Sequence, residues 1–96
     1  MTNAGQVTKT LKRAGFTKAE WRKIGVSTYN AGFMSSGSYS GEVIVTWELA
    51  GHYSHPTSAE LATINTALVE MAKTLSNAGY SVSLRGDLLK HLEVAK

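Results

Sequence analysis

The sequence predicts an α+β domain with the element order α-β-β-α-β-β, its two helices packed on one face of a mostly antiparallel sheet of three to four strands. Two runs have helical apolar spacing and each ends in Ala-Gly-aromatic, and alternating apolar runs follow both. The 96 residues make one domain, 1–96, with no spare length for a second core.

The first helix places Ala4, Val7, Leu11 and Ala14 on one face, and Asn3 with Gln6 has the residues of a capping box. Gly15 ends it and Phe16 follows. Its other face carries Thr8, Lys9, Lys12 and Arg13. Residues 17–25 read two ways. Thr17 and Glu20 form another capping-box pattern before Trp21, with Gly25 as a stop, yet an irregular strand fits nearly as well.

Next, Tyr29, Ala31 and Phe33 alternate with Asn30, Gly32 and Met34, which predicts a strand. The run from Ser35 to Gly41 is rich in Ser and Gly and reads as a hairpin loop. Residues 43–49 then point Val43, Val45, Trp47 and Leu49 one way, with Ile44, Thr46 and Glu48 the other. Phe33 and Trp47 are expected to fill the core.

The second helix, 58–78, has the stripe Leu61, Ile64, Leu68, Met71, Leu75 and Ala78. Thr57 and Glu60 are its capping box, Pro56 precedes it, and Gly79 supplies the left-handed residue that closes it. Tyr80, Val82 and Leu84 then alternate with Ser81, Ser83 and Arg85. After the Gly86-Asp87 turn, Leu92 and Val94 alternate with His91 and Glu93 as a last strand.

The helix ends match one another. Lys9-Thr10-Leu11-Lys12-Arg13-Ala14-Gly15-Phe16 parallels Lys73-Thr74-Leu75-Ser76-Asn77-Ala78-Gly79-Tyr80, with five identities and an aromatic match. A decayed duplication into two αββ halves would produce this, and so would two helices sharing one capping solution. Shared capping needs fewer assumptions.

Composition narrows the function. The chain has no cysteine, which removes disulfides, thiolate chemistry and cysteine-based metal sites and leans towards a reducing compartment. No basic segment followed by an apolar one opens the sequence, so no signal peptide is read. The longest apolar run, Val43-Ile44-Val45, falls far short of the roughly 20 residues a membrane span needs. The expectation is a cytoplasmic protein without membrane contact. Charge is uneven. Residues 1–24 hold six basic side chains against one acid, and residues 25–96 hold four basic and six acidic.

The cationic quarter, Lys9, Lys12, Arg13, Lys18, Arg22 and Lys23 around Trp21, is the electrostatic footprint of phosphate binding. A solvated helix face explains it as well, and no named nucleic-acid module accompanies it. Trp21, Tyr39 and Tyr53 fall in flexible-looking segments, and Tyr with Ser in a loop is the composition of adaptable protein-binding surfaces. His52 and His55 with the distant His91 raise a metal site, but a loop pair followed by Pro56 and lacking a strong carboxylate fits a solvated pair better. Gly37-Ser38-Tyr39-Ser40-Gly41 has Tyr where a nucleophile elbow needs Ser. Glu42 and Glu48 lie about 20 Å apart along one strand, too far for a carboxylate pair. The reading is therefore no enzyme and no cofactor.

With Leu11-Lys12-Arg13-Ala14-Gly15-Phe16 near its start and Leu75-Ser76-Asn77-Ala78-Gly79-Tyr80-Ser81-Val82 near its end, the chain resembles short uncharacterised proteins of actinobacterial phages. The likeness spans most of the chain and transfers no active residue. It implies a small protein of the infected host cytoplasm that binds a host or phage macromolecule. The expected function is a small accessory protein acting through protein–protein contacts, with Trp21, Tyr39 and Tyr53 as the contact surface and Lys12 and Arg13 at its rim. The alternative is nucleic-acid binding through Lys9, Lys12, Arg13, Lys18, Arg22 and Lys23. A homodimer formed through a sheet edge, or through the margin of the second helix's stripe, is compatible with a domain this small.

Overall fold

Asn3 starts the first helix by accepting the Gln6 amide on its side-chain oxygen at 3.2 Å, the Asn3 half of the expected box. In this computed structural model α1 then runs Ala4–Arg13, burying Val7 and Leu11. The residues described are 3–19, 32–37, 41–49, 57–87 and 90–95. Gly15, at φ 100°, closes the helix: the Phe16 amide donates to the Leu11 carbonyl and the Gly15 amide to the Lys12 carbonyl, both at 3.0 Å.

The sheet follows in two hairpins. Strands β1 (Gly32–Gly37) and β2 (Val43–Glu48) pair antiparallel. The longer helix α2 (Ser58–Asn77) leads to β3 (Ser81–Arg85) and β4 (His91–Ala95), also antiparallel. The strand order is β1-β2-β4-β3, with β2 antiparallel to β4 at the centre, so the sheet is four-stranded and antiparallel throughout. Helix α2 opens with both halves of its capping box, Glu60 N to Thr57 Oγ1 at 3.2 Å and Thr57 N to Glu60 Oε1 at 2.8 Å.

Both helices lie on one face. Ile64, Leu68, Met71 and Leu75 of α2 meet Val43, Val45, Leu92 and Val94 from the central strands, with Phe33, Val7 and Leu11 completing the core. Trp47 and Leu49 are half-buried against it. The ends of the predicted stripes fray outwards. Leu61 is half-buried, Ala14 and Ala78 are exposed, and Leu84 is 42% exposed. No described helix is long and apolar enough to cross a membrane.

One expectation changes, and one left open is decided over part of its length. The first strand covers Gly32–Gly37, so Ser35, Ser36 and Gly37 are strand where their composition suggests a loop. Pairing overrides composition here. Ser35 lies opposite Val45 and Ser36 opposite Ile44, and Ser35 Oγ finds Thr8 Oγ1 at 2.7 Å. Tyr29 to Ala31 and residues 38–40 lie outside the described residues. In the ambiguous stretch, Thr17 to Ala19 is extended. Lys18 bridges Phe33 in parallel, the Ala19 amide donates to the Phe33 carbonyl, and the Phe33 amide donates to the Thr17 carbonyl, both at 2.9 Å. Residues 20–25 lie outside the described residues.

Gly32 is what lets that segment seal the β1 edge. A Cβ there would meet the Thr17 carbonyl oxygen and the Ala19 nitrogen, the latter at 2.6 Å, both rigid backbone. At Gly37 a Cβ would meet nothing within 4 Å. Gly32→Ala should therefore detach residues 17–19 and speed hydrogen exchange of the Ala19 amide, while Gly37→Ala leaves it protected. Equal protection in both variants would contradict this.

Candidate binding surfaces

Helical spacing places Lys9, Lys12 and Arg13 at i, i+3 and i+4 on α1, opposite the buried Val7 and Leu11. All three are exposed. The ion pairs seen lie elsewhere, as Lys73–Glu70, Arg85–Glu93 and His91–Glu93, so this face has no carboxylate partner among the described residues. Lys18 is exposed too, but on the extended segment that seals β1. Trp21, Arg22, Lys23, Tyr39 and Tyr53 lie outside the described residues, as do His52 and His55. Among the described residues, no cluster of three or more His, Asp or Glu side chains stands ready for a metal.

The cationic face borders a groove that the sequence did not reveal. Where the C-terminal ends of α1 and α2 meet, an open groove of ≈ 530 Å³ is lined by Thr10, Arg13 and Ala14 from one helix, and by Thr74, Asn77 and Ala78 from the other, with Tyr80. These are matched positions of the two similar segments: Thr10 with Thr74, Arg13 with Asn77, Ala14 with Ala78. Each threonine hydroxyl donates back to the preceding turn, Thr10 to Gln6 at 3.0 Å and Thr74 to Glu70 at 3.1 Å.

The correspondence extends into the sheet. The halves α1-β1-β2 and α2-β3-β4 meet through β2 and β4, where Val43 faces Val94 and Val45 faces Leu92. A two-fold axis through the Ile44–Glu93 pair exchanges those two pairs and carries β1 onto β3. By that register Ser35, opposite Val45, corresponds to Val82, opposite Val94. The helix match independently equates Thr8 with Ala72. The two agree: Thr8 touches Ser35 in one half, and Ala72 and Val82 share a shallow groove in the other. Shared capping alone explains the helix ends but not this coincidence, so the geometry favours duplication. The halves differ in the chain between Phe16 and Phe33, which has no counterpart where Tyr80 leads straight into β3.

The sheet's other face is covered by neither helix. Ser36, Ile44, Glu93 and Ser83 form one row across all four strands. Glu93 holds Arg85 Nε at 3.5 Å on one carboxylate oxygen and His91 Nε2 at 3.4 Å on the other. Met34 lies opposite Thr46 beside them. No Phe, Tyr or Trp side chain stands on this face among the described residues, and its His91 ring is held by Glu93. Alternation along the strands makes these rows readable in sequence once the register is known; the groove depends on how two helix ends meet, for which no local signal exists. No protein family, curated protein or solved structure matches the chain.

If the halves are equivalent, the Thr8–Ser35 contact should accept its counterpart's chemistry. Thr8→Ala with Ser35→Val should cost less than about 1 kcal/mol in urea unfolding, whereas Ser35→Val alone, leaving the Thr8 hydroxyl part-buried and unpaired, should cost about 1–3 kcal/mol. A double variant no better than the single one would refute the equivalence.

Proposed function

We propose that the protein is a small non-enzymatic accessory protein that docks on a protein partner, in the cytoplasm of a phage-infected cell, with Lys12 and Arg13 on the rim of the contact. One observation carries the reading. The groove between the helix ends combines Ala14, Ala78 and Tyr80 with an adjoining face of three cations that have no carboxylate partner among the described residues. Two alanine methyls and a tyrosine ring among polar neighbours, next to a charged rim, have the mixed composition of a non-obligate protein interface. A photo-crosslinking residue in place of Thr10 should trap a discrete product in infected-cell extract. One in place of Ser58, exposed at the far end of α2, should not. Lys12→Glu/Arg13→Glu should remove the product. The same products from both positions would sink the reading.

A second reading is favoured by the cationic face alone: binding of a nucleic-acid backbone through Lys9, Lys12, Arg13 and Lys18, with Arg22 and Lys23. It predicts that anisotropy of mixed DNA and RNA probes shows affinity collapsing between about 50 and 200 mM salt, and vanishing in Lys12→Glu/Arg13→Glu. Binding indifferent to both changes, or absent at both salts, rejects it.

A further inference from the structure

We propose that the groove takes an acidic peptide segment bearing one apolar side chain, a carboxylate against Arg13 and the apolar group between Ala14 and Ala78 beside Tyr80. This rests on the protein-partner reading above and specifies the partner's chemistry.

The internal match supplies a control that a single sequence rarely has. Both helices end with the same bonds: Gly15 and Gly79 at φ 100° and 97°, Phe16 N to Leu11 O at 3.0 Å, Tyr80 N to Leu75 O at 3.1 Å. Helix α2 achieves this with Ser76 and Asn77 and has no basic residue in its last turn. Lys12 and Arg13 are therefore not required by the cap, nor by the helix dipole, which α2 leaves uncompensated. The matched segments differ only at 12 against 76, 13 against 77 and 16 against 80. The basic pair is where the two halves diverge in charge, and Arg13 lines the groove.

The sign of the field follows from magnitudes. Two helix C-termini contribute roughly half a negative charge each, which alone would draw a cation. Arg13 lines the groove with a full positive charge and Lys9 stands one turn before it on the same side, so the α1 side of the groove attracts an anion. A hydrated sugar–phosphate backbone places only ring C–H groups against Ala14 and Ala78, whereas a peptide carries whole aliphatic side chains next to carboxylates. Charge and lining together select the acidic peptide.

The probe is a fluorescein-labelled peptide with the core Asp-Glu-Leu-Glu-Asp flanked by glycines, titrated with the full chain. Binding should weaken about tenfold or more in Lys12→Glu/Arg13→Glu. It should weaken similarly in Ala78→Gln, which narrows the groove without changing charge. It should strengthen several-fold in Ser76→Lys/Asn77→Arg, which gives the second half a basic pair at the matched positions. All these positions are exposed, and circular dichroism confirms that each variant is folded. Equal affinity for the peptide with Gly in place of Leu, or indifference to Ala78→Gln, overturns the groove. Tighter binding of a single-stranded oligonucleotide of equal charge overturns the peptide. If the peptide fails while the Thr10 cross-link persists and is lost in Lys12→Glu/Arg13→Glu, the acidic segment is wrong and the protein-partner reading stands.

Discussion

The antiparallel contact between β2 and β4 is what the rest of the structure depends on. Val43 faces Val94 and Val45 faces Leu92, and all four side chains are fully buried. Each hairpin alone would be a two-stranded ribbon, marginal in water. Joined, they form a four-stranded surface broad enough for both helices, and burial of each of those four residues contributes about 1.5–3 kcal/mol as an upper bound. The contact overlaps by only three residue pairs, Val43 with Val94 to Val45 with Leu92. Because it lies at the centre of the sheet, it sets where the helices come together, and so places the groove.

Local chemistry made most of the architecture legible. The capping box at Thr57 and Glu60, the Gly15 and Gly79 ends and the alternation of Leu92 with His91 are decided by neighbours in sequence, and the structure shows each of them. What the sequence misread or left open falls where distant partners decide. Ser35 and Ser36 have turn-forming side chains, yet β2 and Thr8 hold them in a strand. Thr17 to Ala19 is extended because Phe33 lies within reach of two backbone bonds, a partner no window around residue 18 contains. The candidate site divides the same way. Helical spacing alone unites Lys9, Lys12 and Arg13, while Ala14 and Ala78 become one groove only after both halves are folded.

The two halves solve one packing problem with different chemistry. In the first, the helix–strand flank is polar, Thr8 to Ser35 at 2.7 Å. In the second, its counterpart is Ala72 with Val82, beside a shallow open groove. The edges differ likewise. Thr17 to Ala19 covers β1, the position equivalent to β3, where exposed backbone is a standing invitation to unwanted pairing. The chain after Phe16 thus occupies the start of that edge through two backbone bonds to Phe33 and brings Lys18 to the surface beside it.

On the acidic-peptide proposal, asymmetry also gives a nearly two-fold scaffold one direction of binding. A groove on a pseudo-axis with identical sides would accept an extended segment equally well in either orientation, halving specificity for its register. Arg13 on one wall and Asn77 on the other break that degeneracy with a single charge, while Thr10 and Thr74, and Ala14 and Ala78, keep the groove's shape even on both sides. Shape and charge are thereby separated. The matched residues maintain the helix ends and the groove, and under that proposal the unmatched Arg13 is free to set which way round an acidic partner lies.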